Sequence, residues 1–123
     1  MKRHCELTRC LVVDESTEWR GRAQGYLASH GFNIVQAENE DAALEQCVSE
    51  MPDVVLVGTR CAATFIRRLR RHRAASEAVV IMCPDANDIG SVGDAIWHGA
   101  TDYLVKPCNR EIFDAKLRQT GIL

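Results

Sequence analysis

Asp53-Val54-Val55-Leu56-Val57 is the stretch that decides the fold. Four apolar residues run together after the aspartate, three of them β-branched, with no polar residue alternating among them. A strand that faces water on one side alternates polar and apolar residues, whereas one buried on both faces does not. Ala78-Val79-Val80-Ile81-Met82 has the same character. Cys10-Leu11-Val12-Val13 is a third short apolar run, ending at Asp14-Glu15. Strands covered on both faces require helices on both sides, and that means parallel pairing through helical crossovers.

The segments between the runs supply those helices. From about Thr17 to His30, Trp19, Ala23, Tyr26 and Leu27 recur at helical spacing, and Gly31 stops the helix. Gly21 and Gly25 weaken it, by roughly 1 kcal/mol each relative to Ala. Asn33–Ala37 reads as a second strand. Asn39 caps a helix carrying Ala42, Ala43, Leu44, Cys47 and Val48, which ends before Pro52. After a loop at 58–62, a helix from 63 to about 72 turns Phe65, Ile66 and Leu69 inward. Asp88 is expected to cap a helix running to His98 and closed by Gly99. Its inner stripe is Val92, Ala95, Ile96 and Gly99, which leaves Asp94 and Trp97 outward. Residues 103–105 form the last strand, and Asn109 caps a final helix carrying Ile112, Phe113 and Leu117. Five strands thus alternate with five helices in a single domain spanning 1–123. In such sheets chemistry gathers at the carboxyl ends of the strands. Those ends are Asp14-Glu15, Ala37-Glu38, Gly58, Cys83-Pro84-Asp85 and Lys106-Pro107.

Composition narrows the function classes. With 46% hydrophobic and 26% charged residues, the chain is neither disordered, collagen-like nor a coiled coil. A net charge of -2, from 15 basic and 17 acidic residues, gives no bulk-charge case for nucleic acid or membrane. No apolar run approaches the roughly 20 residues that span a bilayer. The start, Met1-Lys2-Arg3-His4-Cys5-Glu6, leads to no apolar signal segment, so a cytoplasmic location is expected. The six cysteines (5, 10, 47, 61, 83 and 108) show no Cys-x-x-Cys and no zinc spacing, and read as separate reduced thiols. Arg60, Arg67, Arg68, Arg70, Arg71 and Arg73 cluster without an intervening acid. Most of them read as the solvated face and C-terminal end of one helix, where cations suit the macrodipole. An acidic protein partner is the alternative. Nucleic acid is disfavoured, because no aromatic platform accompanies them beyond the inward Phe65.

These motifs together resemble a bacterial response-regulator receiver domain. Val12-Val13-Asp14-Glu15 matches its first strand and acidic pair, and Gly31-Phe32-Asn33-Ile34-Val35-Gln36-Ala37 its second strand. Ala42-Ala43-Leu44 matches its helical Glu-Ala-Leu, and Pro52-Asp53-Val54-Val55-Leu56-Val57 its third strand. Gly99-Ala100-Thr101-Asp102-Tyr103-Leu104-Val105-Lys106-Pro107 is the most specific match. The resemblance implies a flavodoxin-like, doubly wound five-stranded parallel sheet of order 2-1-3-4-5. It also implies a role in two-component phosphorelay signalling. In that family an aspartate takes a phosphoryl group from a partner's phosphohistidine with the help of Mg²⁺. By resemblance, Asp14 and Glu15 match the metal-holding acids, Lys106 the lysine that meets the phosphoryl group, and Lys106-Pro107 a cis peptide bond. Tyr103 matches the switch aromatic.

The chain departs from the family at the centre of that chemistry. The phosphoacceptor directly follows the third strand, and that place is Gly58. Asp53 cannot substitute, standing about 17 Å away at roughly 3.4 Å per strand residue. The loop at 59–64 is shortened and keeps neither the family's Met-Pro nor its Asp-Gly. The place of the switch hydroxyl is Pro84. The expectation is a stand-alone pseudo-receiver without an output domain, not an enzyme, binding proteins independently of phosphorylation. No cofactor is implied beyond a weak Mg²⁺ site at Asp14 and Glu15, two acids read as partly exposed, with Asp14 paired to Lys106. Expected partners are a histidine kinase, a phosphotransfer protein or another response regulator. Trp97, Asp94 and Tyr103 are interface candidates, and a homodimer would form through the fourth helix, fifth strand and fifth helix. Two alternatives stay open: a receiver phosphorylated on a non-standard acceptor, and a thiol-based redox sensor using Cys61, Cys83 or Cys108.

Overall fold

The computed structural model describes residues 8–123; Cys5 and the basic amino-terminal segment lie outside the described residues. The valine-rich stretch forms β3 (Val54–Val57), flanked by β1 (Arg9–Val13) and β4 (Val79–Met82). β2 (Asn33–Ala37) and the two-residue β5 (Asp102–Tyr103) are the edges of a parallel sheet ordered β2-β1-β3-β4-β5. The helices are α1 (Thr17–Ala28), α2 (Glu40–Ser49), α3 (Ala62–Arg70), α4 (Val92–Trp97) and α5 (Arg110–Gln119), with short 3-10 turns at Arg73–Ala75 and Ala86–Ser91. The flavodoxin-like order read from the sequence is the order found.

Successive strand residues point to opposite faces, and each face has its own core. Leu11, Val13, Val55, Val57, Val80 and Met82 pack with residues of α2, α3 and α4. Cys10, Val12, Val54, Leu56, Ile81 and Cys83 pack with Trp19, Leu27, Phe113 and Leu117 of α1 and α5. All four β3 side chains are buried, which is why that stretch shows no polar alternation. Ser16, Asn39 and Asn109 cap α1, α2 and α5, each accepting the backbone N–H three residues on. Gly31 after α1 and Gly99 after α4 take φ values of +78° and +117°, a region that suits glycine.

Several local expectations are corrected. Asp88 does not cap the fourth helix. It lies inside the 3-10 turn with a non-helical φ of −109°, and α4 proper begins at Val92. Gly90 and Gly93 dilute helix propensity there, and residues 85–91 are all exposed, so no apolar face pulls the turn onto the sheet. Ile96, expected on the inner stripe of its helix, is exposed, as are Val48 and Ile112 among the apolar residues that mark the second and fifth helices. Each lies one residue, about 100° of helical rotation, from the neighbour that is buried: Ala95, Phe113 and Cys47. Residues 104–105 fall outside β5, and pairing resumes only as a bridge between Asp85 and Lys106.

Candidate functional site

Register brings Val13 level with Val57, and Val57 level with Met82. The residues that follow, Asp14, Gly58 and Cys83, therefore share the carboxyl edge of the sheet. A cavity of about 850 Å³ opens there, lined by Asp14, Glu15, Trp19, Gly58, Pro84 and Lys106 among others. Asp14 is only 2% exposed and Lys106 only 7%. Lys106 Nζ donates to Asp14 Oδ2 at 2.6 Å, and Ser16 N donates to Asp14 Oδ1 at 2.9 Å. Both carboxylate oxygens of Asp14 are thus partnered within the chain. Asp14 is therefore buried, not partly exposed; Glu15 alone of the acidic pair faces solvent. Asp85 Oδ1 stands 4.0 Å from the same ammonium.

Gly58 N donates to Val13 O at 2.9 Å, which holds its backbone against the β1–α1 junction. A β-carbon at Gly58 would run into Asp14 Oδ2. It would also come within 2.8 Å of both Lys106 Nζ and the Cys83 carbonyl oxygen. The space that a side chain at this position would use is filled by the Asp14–Lys106 pair. Pro84 is buried, its carbonyl accepts Lys106 N at 2.8 Å, and the Lys106–Pro107 bond is cis. Asp53 accepts Arg9 N at 2.7 Å at the amino end of β3, far from the cavity.

The residues present do not make a magnesium cage. That ion prefers near-octahedral oxygen coordination, yet position 58 offers no side-chain oxygen and Asp14 is already engaged by Lys106. Among the described residues no three His, Cys, Asp or Glu side chains gather as metal ligands. The thiols nearby differ in access. Cys83 and Cys108 are buried, with burial pushing both thiols up, while Cys61 is exposed.

The sequence-selected surface residues fall on one side of the molecule, at α4 and β5. Trp97 is 85% exposed, so it does not lie flat on neighbouring side chains. Asp94, also exposed, stands 3.5 Å from His98 on its own helix. Tyr103 is 41% exposed with Lys116 Nζ 5.5 Å from its ring centre, and Lys116 is paired with Asp102 at 3.1 Å.

Two interactions escaped the sequence reading. Thr59, buried beside Gly58, donates its hydroxyl to Glu40, tying the β3–α3 loop to α2. Arg70 is not part of a basic face. Its guanidinium donates to the carbonyls of Ala75, Ala78 and Gly99, and burial lowers its pKa from the usual arginine value. A helical-spacing argument sees neither, because Thr59–Glu40 and Arg70–Gly99 join different elements and the bonds from Arg70 to Ala75 and Ala78 depend on how the chain turns after α3. Among the described residues, no helix is long and apolar enough to cross a membrane.

The family described as the response regulator receiver domain matches residues 10–118. The transcriptional regulatory protein YxdJ of Bacillus subtilis is 28% identical over 91% of this chain, which spans 49% of that protein. The chain thus covers about half of YxdJ. The chemotaxis protein CheY of the same organism is 32% identical over 80% of this chain and 85% of its own length. Among solved structures, the chemotaxis response regulator CheY4 of Vibrio cholerae superposes with a TM-score of 0.87. It shares 21% identity and covers 94% of this chain and 99% of its own.

Proposed function

The chain belongs to the response regulator receiver domain family, and from that membership we propose that it is a pseudo-receiver: a two-component signalling module that binds proteins without being phosphorylated. Gly58 carries this reading. The position that directly follows β3 has no carboxylate to attack phosphorus, and its side-chain space is taken by Asp14 and Lys106. Pro84, in the place of the switch hydroxyl, has none to offer. Asp14, Glu15, Lys106 and Pro107 are then remnants of the family's pocket. Output passes through contacts alone, with Trp97, Asp94 and Tyr103 as interface residues. The partner is a histidine kinase, a phosphotransfer protein, another response regulator or a second copy of this chain. A thiol sensor is the weaker alternative, because Cys83 and Cys108 are buried with their thiolates disfavoured.

Incubation with acetyl phosphate and Mg²⁺, followed by intact mass spectrometry, tests the reading. No phosphoryl adduct is expected. A stable adduct on the parent protein would overturn it.

A further inference from the structure

We propose that the Lys106 ammonium is the pocket's resident cation, seated in the room that Gly58 leaves and closing Asp14 to divalent metals. The proposal rests on the pseudo-receiver reading and explains how the pocket tolerates the loss. Asp14 is 2% exposed, and a buried carboxylate needs a partner to stay charged. In this chain the partner is covalent to the protein. Lys106 holds Oδ2 at 2.6 Å, and Ser16 N holds Oδ1 at 2.9 Å. A divalent ion could reach Oδ2 only by displacing the ammonium, which would then sit buried beside a dication. Like charges that close disfavour one another. No carboxylate at position 58 would repay the exchange.

Gly58 is a requirement of this arrangement as well as a loss. A β-carbon there meets Asp14 Oδ2, Lys106 Nζ and the Cys83 carbonyl oxygen together. Two of those atoms are side-chain ends that can swing away, but the third is backbone and fixed by its strand. Any side chain at 58 therefore displaces the ion pair. Glycine at 58, aspartate at 14 and lysine at 106 form a mutually dependent set, and the electrostatic state of the pocket is set by the chain alone.

The test uses Mn²⁺ as a paramagnetic probe, read through selective broadening of the backbone amide signals of Asp14, Gly58 and Thr59. In the parent protein no selective broadening is expected at millimolar Mn²⁺. Lys106→Met frees Asp14 and should bind Mn²⁺ at least tenfold more tightly than the parent, with Mg²⁺ raising its melting midpoint. Adding Asp14→Asn to that variant should remove the response. Selective broadening in the parent overturns the proposal, as does a folded Lys106→Met variant with no gain in affinity. Should Lys106→Met not fold, the parent measurement decides alone. A parent that binds Mn²⁺ yet takes no phosphoryl group sinks only this inference. A parent that excludes Mn²⁺ but is phosphorylated elsewhere sinks only the functional reading.

Discussion

Gly58→Ala adds one methyl group against an ion pair and a fixed carbonyl. Overpacking of this kind costs about 1–3 kcal/mol, and urea unfolding should show that loss. Gly58→Asp should lose more, since it adds a third acid beside Asp14 and Asp85. A variant as stable as the parent would mean that the Asp14–Lys106 pair relocates freely. The buried thiols make a second residue-scale prediction. Burial pushes Cys10 up to about 12 and Cys47 up to about 11 from the ordinary 9.0, and Cys83 is raised as well. Above pH 9 the unfolded chain loses these protons while the folded chain keeps them, so stability falls as pH rises. The slope is up to about 1.4 kcal/mol per pH unit for each thiol. Urea midpoints at pH 8 and pH 10 should therefore differ, and Cys10→Ala should reduce the difference. A pH-independent midpoint would show that these thiols titrate as freely when folded as when unfolded.

At the scale of elements, Arg70 separates two kinds of basic residue on and after α3. Its guanidinium closes the carbonyls that end the Arg73–Ala75 turn and α4. Removing it takes a charged donor from the Ala78 and Gly99 carbonyls, while Ala75 O keeps the Ala78 N–H. A partly buried acceptor left without a donor costs about 1–3 kcal/mol. Arg70→Ala should therefore destabilise by at least that much, whereas exposed Arg67→Ala should stay within about 0.5 kcal/mol. Equal effects would return Arg70 to the surface group. The exposed tryptophan on α4 makes the opposite case. Trp97→Ala should leave stability within about 0.5 kcal/mol but weaken self-association tenfold, about 1.4 kcal/mol, in sedimentation equilibrium. Identical sedimentation of parent and variant removes Trp97 from the interface. Element identity was legible because β3 and β4 are apolar throughout, and because Ser16, Asn39 and Asn109 signal helix starts by local chemistry. Asp88 misled for the same reason: a good capping residue was present without an apolar face behind it to make the helix worth starting there. Which of two adjacent apolar residues is buried depends on helix rotation against the sheet, and sequence spacing alone fixes that only to about 100°. Hence Ile96, Ile112 and Val48.

At the scale of the whole molecule, the sequence showed which residues would meet at the sheet edge but not how they would share the space. The strand ends predicted that Asp14, Gly58, Pro84 and Lys106 converge. That the ion pair fills the volume of the missing side chain is a three-body packing fact, visible only with all strands in register. One further consequence follows from α1. Its glycines, Gly21 and Gly25, have nothing within 4 Å of where a β-carbon would stand, so they contribute no packing while weakening the helix. Yet α1 carries Trp19, one wall of the cavity. That wall of the pocket is thus built on a helix weakened by two glycines that no side chain packs against, and segments of low local stability open before the rest of a domain unfolds. Amide hydrogens of α1 should exchange faster than those of α5, and Gly21→Ala with Gly25→Ala should slow them while adding about 0.5–1 kcal/mol each. If exchange is uniform across the two helices, tertiary contacts outweigh propensity in α1. Faster exchange in α1 would mean that the charges of the pocket sit in a frame that opens locally.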